Sequence, residues 1–148
     1  MRLWSRLALA LLAMSIGLRV AIADDDMTVT GAWARPVLGQ TAATALYFTV
    51  LNDGAAPDSI LSVAVADAAQ TELHATVDEN GVIGMRTISE LPLPPGQPAV
   101  FEPKGNHVML MGLKRQLRIG DHLAITVRFK THAPVTVEAV VSMTAPPR

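Results

Sequence analysis

Apolar and polar residues alternate with period two along most of this chain. Leu46, Phe48 and Val50 interleave with Tyr47 and Thr49. Leu123, Ile125, Val127 and Phe129 interleave with Ala124, Thr126, Arg128 and Lys130. Val135, Val137, Ala139 and Val141 interleave with Thr136, Glu138 and Ser142. Successive side chains of a strand point to opposite faces, so each run reads as a strand with one face in a core. Breakers separate the runs. Asp53-Gly54 and Pro57-Asp58 mark a loop. Asn80-Gly81 is the strongest hairpin signal, because both residues tolerate the positive φ of a type I′ turn. Pro92, Pro94, Pro95 and Gly96 make a stiff connection, and Gly112, Gly120-Asp121 and Ala133-Pro134 close later segments. No stretch has a convincing helical period, and Leu113 to Ile119 has room for one short helical turn at most. The pattern predicts an all-β fold, a single antiparallel Greek-key sandwich or small barrel.

The same alternation sorts a set of histidines and methionines. His107, Met109 and Met111 are spaced by two, with Val108 and Leu110 between them. If Val108 and Leu110 enter the core, the other three share the opposite face; the reverse assignment buries a histidine beside two methionines, and alternation alone leaves both open. Glu72, His74 and Thr76 alternate with Leu73, Ala75 and Val77, which puts His74 on the polar face of its strand. A two-residue turn at Asn80-Gly81 pairs Glu79 with Val82, Thr76 with Met85 and His74 with Thr87. Met85 then lies on the face of His74, one diagonal step away, about 7–8 Å at the backbone. A longer turn or a bulge would change that register. Each pair thus presents a His and a Met on one strand face. Nothing local shows that the two pairs meet.

Composition narrows the chemistry. The chain has 148 residues, half of them apolar, enough for one domain with a core. It contains no cysteine. Cysteine nucleophiles, cysteine zinc sites and the cysteine-dependent blue-copper centre are therefore excluded. The formal charge is −1 with no basic block, so no nucleic-acid partner is expected. No phosphate loop or nucleophile elbow is present, and nothing places a base beside a nucleophile, so no enzyme is expected. What remains is a donor set of two imidazoles and two thioethers, the ligand types that Cu(I) favours.

The first residues form a separate object. Arg2 and Arg6 make a positive start, Leu7 to Leu18 an apolar stretch, and Ala21-Ile22-Ala23 supplies small residues for a peptidase. Residues 1–23 read as a secretory signal peptide cleaved after Ala23, with 24–148 as the exported domain. An uncleaved anchor is the other reading, but the stretch is short and Arg19 interrupts its end, so no stable membrane insertion is expected after cleavage. With no cysteine near the site, lipoprotein processing is excluded. The mature chain keeps 9 Lys/Arg against 13 Asp/Glu and begins Asp24-Asp25-Asp26, with no histidine at its third position for an amino-terminal Cu(II) clamp. The expected location is the periplasm, an oxidising space.

Other candidates have ordinary explanations. His122 and His132 flank a strand without a matched methionine and read as surface residues. Trp33 and Tyr47 read as packing residues, with a place at the edge of the site as the alternative. Lys114, Arg115 and Arg118 read as a solvated loop, with docking on an acidic partner as the alternative.

The residues resemble a known family, the periplasmic copper(I) chaperones of the PCu(A)C type. Its motif is His, ten residues, Met, twenty-one residues, His-x-Met, and His74, Met85, His107 and Met109 reproduce it without a gap. Glu72-Leu73-His74 and Gly84-Met85-Arg86 resemble the family's first half. The run from Pro103 through Gly105 and His107–Leu113 to Leu117, Gly120 and Asp121 resembles its second half. The resemblance covers about Val29 to Val141. It implies a cupredoxin-like sandwich and a Cu(I) site made by His74, Met85, His107 and Met109. It also implies delivery of copper to cytochrome c oxidase assembly, either to the copper centre of subunit II or through a thiol-bearing assembly partner. Two features of some members are missing. Ala75 and Thr76 follow His74 in place of a further His or Met, and the tail Thr144-Ala145-Pro146-Pro147-Arg148 lacks donors, so a second copper site is not expected.

Overall fold

Alternation becomes strand wherever one face finds a core. The computed structural model describes residues 26–37, 39 and 43–147. The strands are β1 (Met27–Ala34), β2 (Ala43–Asn52), β3 (Asp58–Val65), β4 (Ala68–Glu79) and β5 (Val82–Ile88). They continue as β6 (Leu91–Leu93), β7 (Ala99–Val100), β8 (His107–Leu113), β9 (His122–Phe129) and β10 (Val135–Val141). The expected signal peptide, residues 1–23, lies outside the described residues.

The strands follow the hydrogen-bonded order β5-β4-β8-β2-β1-β10-β9-β3-β6, with β7 paired to β2. A register break in β1 between Thr30 and Trp33 bends that strand. Past the break, Trp33 and Ala34 pair with Val140 and Val141 of β10. The β5-β4-β8-β2 half and the β10-β9-β3-β6 half share one apolar core. Leu46, Phe48, Leu73 and Leu110 of the first meet Ile60, Val63, Ile125 and Val127 of the second. Burying these side chains is the main driving force of the fold, at roughly 25 cal/mol per Å² of apolar surface.

The all-β class and cupredoxin-like layout hold, with two corrections of detail. The β1–β10 pair is parallel, so the sheet is mixed. A parallel pair needs a long connection, and here almost the whole chain separates the two strands, a relation that short-range alternation does not encode. The strand order is also open: β5 and β6 end it without pairing to each other, so it does not close as a barrel.

Two local readings change as well. Leu113 to Ile119 holds bends and a turn rather than helix, because Leu117 is drawn fully into the core and its carbonyl accepts from the Val37 amide at 3.0 Å. Gly112 does not close a segment but lies inside β8. Its φ is +60°, and a Cβ there would stand 2.8 Å from the Ala69 Cβ, so the strand passes β4 closely at a conformation side chains avoid. The Asn80-Gly81 turn is as expected, with φ of 58° and 83°. The loop after β2 is organised by Asn52, which is buried and whose amide donates to the Ala56 and Leu93 carbonyls, each at 2.9 Å.

Candidate metal centre

Three neighbouring strands, β5, β4 and β8, carry the histidines and methionines. The β4–β5 hairpin pairs Glu79 with Val82, Thr76 with Met85 and His74 with Thr87, the register expected from the two-residue turn. On its other edge β4 pairs with β8, setting His74 opposite His107 and Glu72 opposite Met109. Val108 and Leu110 are fully buried, which settles the face of β8: His107, Met109 and Met111 lie on the other side, with His107 itself buried.

The two imidazoles are therefore direct cross-strand neighbours. Their ring centroids are 5.3 Å apart and the planes cross at 71°. Met109 lies one diagonal step from His74 on β8, and Met85 one diagonal step on β5, on opposite sides of the histidine row. A cavity of about 500 Å³ is lined by Met85, His107 and Met109 together with Ile83, Tyr47 and Lys104. Tyr47 packs against Trp33 in a tilted pair with centroids 4.6 Å apart. Tyr47 thus packs and borders the cavity at once; burial pushes its hydroxyl pKa up, and Arg35 opposes this.

Each histidine is held by one ring nitrogen. His107 Nδ1 lies 3.1 Å from the Gly105 carbonyl, which also accepts from the Thr76 hydroxyl at 2.9 Å. His74 Nε2 lies 3.0 Å from Glu72 Oε2 and 3.3 Å from the Thr87 hydroxyl. Glu72 Oε1 accepts from the Gln70 amide at 2.8 Å. The hydrogen bond to His74 holds the Glu72 carboxyl below the ordinary glutamate range, against a smaller upward push from desolvation. The other nitrogen of His74, Nδ1, is buried with no hydrogen-bond partner, the one such side-chain atom among the described residues. Buried polar atoms are almost always paired, so the lone pair of this nitrogen is a candidate metal donor. Among the described residues no three His, Asp or Glu side chains group to hold a metal. A metal at His74 and His107 would thus draw its further donors from Met85 and Met109, a soft set.

The remaining candidates separate from this site. His122 is exposed on β9, 3.8 Å from Glu138. The His132 ring meets the Ala133 carbonyl at 2.7 Å and the edge of Phe129. Arg115 is engaged within the chain by Asp67 and Asp121, and Lys114 by the Ala66 carbonyl. The partners Glu72 and Gly105 were not singled out from sequence as part of the site. The signal for Glu72 was present, since it stands two residues before His74 on the same strand face.

The chain is similar to known proteins in sequence and in fold. The family model described as "Putative lipoprotein LpqE-like" matches residues 27–141. The chain is 32% identical over 116 residues to "Putative lipoprotein Lxx21020" of Leifsonia xyli subsp. xyli, covering 76% of this chain and 69% of that protein. It is 29% identical over 114 residues to "Uncharacterized protein RP573" of Rickettsia prowazekii, covering 74% and 63%. This chain contains no cysteine. Among solved structures, Cu(I)-DR1885 of Deinococcus radiodurans aligns with a TM-score of 0.65 at 30% identity, covering 82% of this chain and 80% of that one. The copper-bound PCuAC domain of PmoF2 aligns with a TM-score of 0.68 at 25% identity, covering 82% and 94%. No helix among the described residues is long and apolar enough to cross a membrane. The family match spans β1 to β10, and the fold is that of the PCuAC domains, so the chain belongs to the LpqE-like family as a PCuAC-type member.

Proposed function

We propose that this protein is an exported Cu(I) metallochaperone that holds one copper ion with His74, Met85, His107 and Met109 and hands it to cytochrome c oxidase assembly. The observation that carries the reading is the pairing of His74 with His107 across β4 and β8, with a buried, unpartnered nitrogen on His74 and a methionine on either diagonal. The copper-bound relatives of the same fold support it.

The chemistry fits an oxidising compartment. Free thiolates there tend to become disulfides, whereas thioethers cannot, and they remain soft donors for Cu(I). Neutral imidazoles and thioethers add no charge that would favour Cu(II). Copper here is cargo, so the site must let go as well as hold. Met85 is 70% exposed on the outermost strand of its half. It is the donor an incoming ligand displaces first, and His107, buried beside Val108, is the last to release. A second reading of the sequence is an exported β-sandwich that recognises a protein or envelope component without metal; it expects Met85 and Met109 in the core far from both histidines, whereas Met85 is exposed and Met109 half-buried.

X-ray absorption on the Cu(I)-loaded protein tests the donor set: two nitrogen and two sulfur ligands are expected, and a shell without sulfur overturns it. Delivery is tested by mixing Cu(I)-loaded protein with the copper-free soluble domain of oxidase subunit II, with and without a thiol-bearing assembly partner. Copper that stays with the donor in both mixtures refutes the recipient. Amino-terminal sequencing of the protein from a periplasmic fraction tests export, with Asp24 as the expected first residue.

A further inference from the structure

We propose that Glu72 is the positioning residue of this site: its carboxylate holds the Nε2 proton of His74 and so leaves Nδ1 of that ring as the metal donor. The inference rests on the Cu(I) reading above and adds to it which nitrogen of each histidine binds and what decides it.

Glu72 accepts from three sides. The Gln70 amide donates to Oε1 at 2.8 Å, the Thr87 hydroxyl donates to Oε2 at 3.4 Å, and His74 Nε2 stands 3.0 Å from Oε2. A carboxylate so engaged is an acceptor only, so the shared proton sits on the imidazole. His74 Nδ1 is buried and has no acceptor within reach. A second proton there would be a buried N–H without a partner, beside another imidazole whose centroid is 5.3 Å away. The neutral ring with its proton on Nε2 and a bare lone pair on Nδ1 satisfies both conditions. His107 has the opposite arrangement. Its Nδ1 faces the Gly105 carbonyl at 3.1 Å, which keeps the proton there and frees Nε2. The two rings therefore approach one ion through different nitrogens, Nδ1 of His74 and Nε2 of His107. Their nearly crossed planes, at 71°, accord with two neighbours on adjacent strands presenting different edges. Carboxylates and carbonyls that hold the outer nitrogen of a ligating histidine fix its tautomer, and their loss weakens metal binding about 10–100-fold.

The test begins without copper. In ¹⁵N-labelled metal-free protein, long-range proton–nitrogen spectra of the imidazoles read each tautomer directly. The expected result is a proton on Nε2 of His74 and on Nδ1 of His107. On titration with Cu(I), the nitrogen shifts fall on His74 Nδ1 and His107 Nε2. Glu72→Ala should leave His74 populating both tautomers and weaken Cu(I) binding about 10–100-fold, with unchanged far-ultraviolet circular dichroism. Glu72→Gln, whose carbonyl still accepts from Nε2, should restore most of the lost affinity. Wild-type protein that binds Cu(I) with the His74 proton on Nδ1 overturns the role of Glu72 alone, as does a Glu72→Ala protein with an unaltered tautomer and affinity. Wild-type protein with the expected tautomers that binds no Cu(I) overturns the copper reading and this role with it.

Discussion

Met109 and Met85 offer the same thioether from opposite surroundings. Met109 is half-buried on β8, an inner strand with Val108 and Leu110 anchored in the core on either side and β4 and β2 paired along its edges. Met85 projects from β5, the end of the strand order, next to Val82 and Ile83, which are more than two-thirds exposed. A donor on an inner strand is preorganised, since its backbone and neighbours are fixed by packing that folding has already established. A donor on an edge hairpin adapts, since little holds its side chain in one rotamer. On the proposed reading, the inner donor would hold the ion and the edge donor would open a path for exchange.

That contrast can be broken or sharpened by substitution. Removing both imidazoles, His74→Ala with His107→Ala, takes away the shared anchor of the two halves. Competition against a Cu(I) chelator should then show retention down by more than about 100-fold, and unchanged retention would end the copper assignment. Leu110→Ala attacks the packing beneath Met109 and should cost about 2–5 kcal/mol of stability in urea unfolding, while Ile83→Ser on the edge hairpin should change stability by under about 0.5 kcal/mol.

A third change lies in the other half of the fold. Asp58 is buried and accepts from the Ser59, Lys130, Thr131 and His132 amides at 2.7–3.1 Å. Burial pushes its carboxyl upward, but the Ser59, Thr131 and His132 amides and the Thr131 side chain together outweigh that and hold it below the ordinary aspartate range. Its contribution to stability is therefore present above the unfolded value and is lost as pH falls through the lowered folded one. Asp58→Asn should cost about 1–3 kcal/mol near neutrality. The gap to wild type should narrow on acidification below about pH 4, read from urea midpoints, with Cu(I) retention at neutral pH unaltered.

The smallest effect belongs to the methionine pair itself. Met85→Ala should speed Cu(I) transfer to a chelator with little loss of stability, whereas Met109→Ala should lower both retention and stability. Equal transfer rates for the two variants would remove the distinction between a fixed and an adaptable half.

Much of this site is legible residue by residue. The alternation around Val108 and Leu110 leaves only two faces for His107 and Met109, and Asn80-Gly81 dictates the register that puts Met85 diagonal to His74. Period two also marks β2, β9 and β10 as half-buried strands. The turn chemistry and the alternation are local, acting over a few residues, so a linear reading captures them.

Strand neighbours distant in sequence are another matter. That β4 pairs with β8, so that His74 faces His107, depends on how both halves of the sheet close over one core. The parallel join of β1 to β10 has the same origin. Alternation tells each strand which side to bury but not which strand to lie beside, because many pairings bury the same residues and only the packing of the whole core separates them. The sequence by itself thus determined the donor types, their faces and the β4–β5 register. The tertiary structure alone decided that the two histidines meet, that Glu72 and Gly105 lie against opposite nitrogens of their rings, and that His74 Nδ1 is left buried without a hydrogen-bond partner.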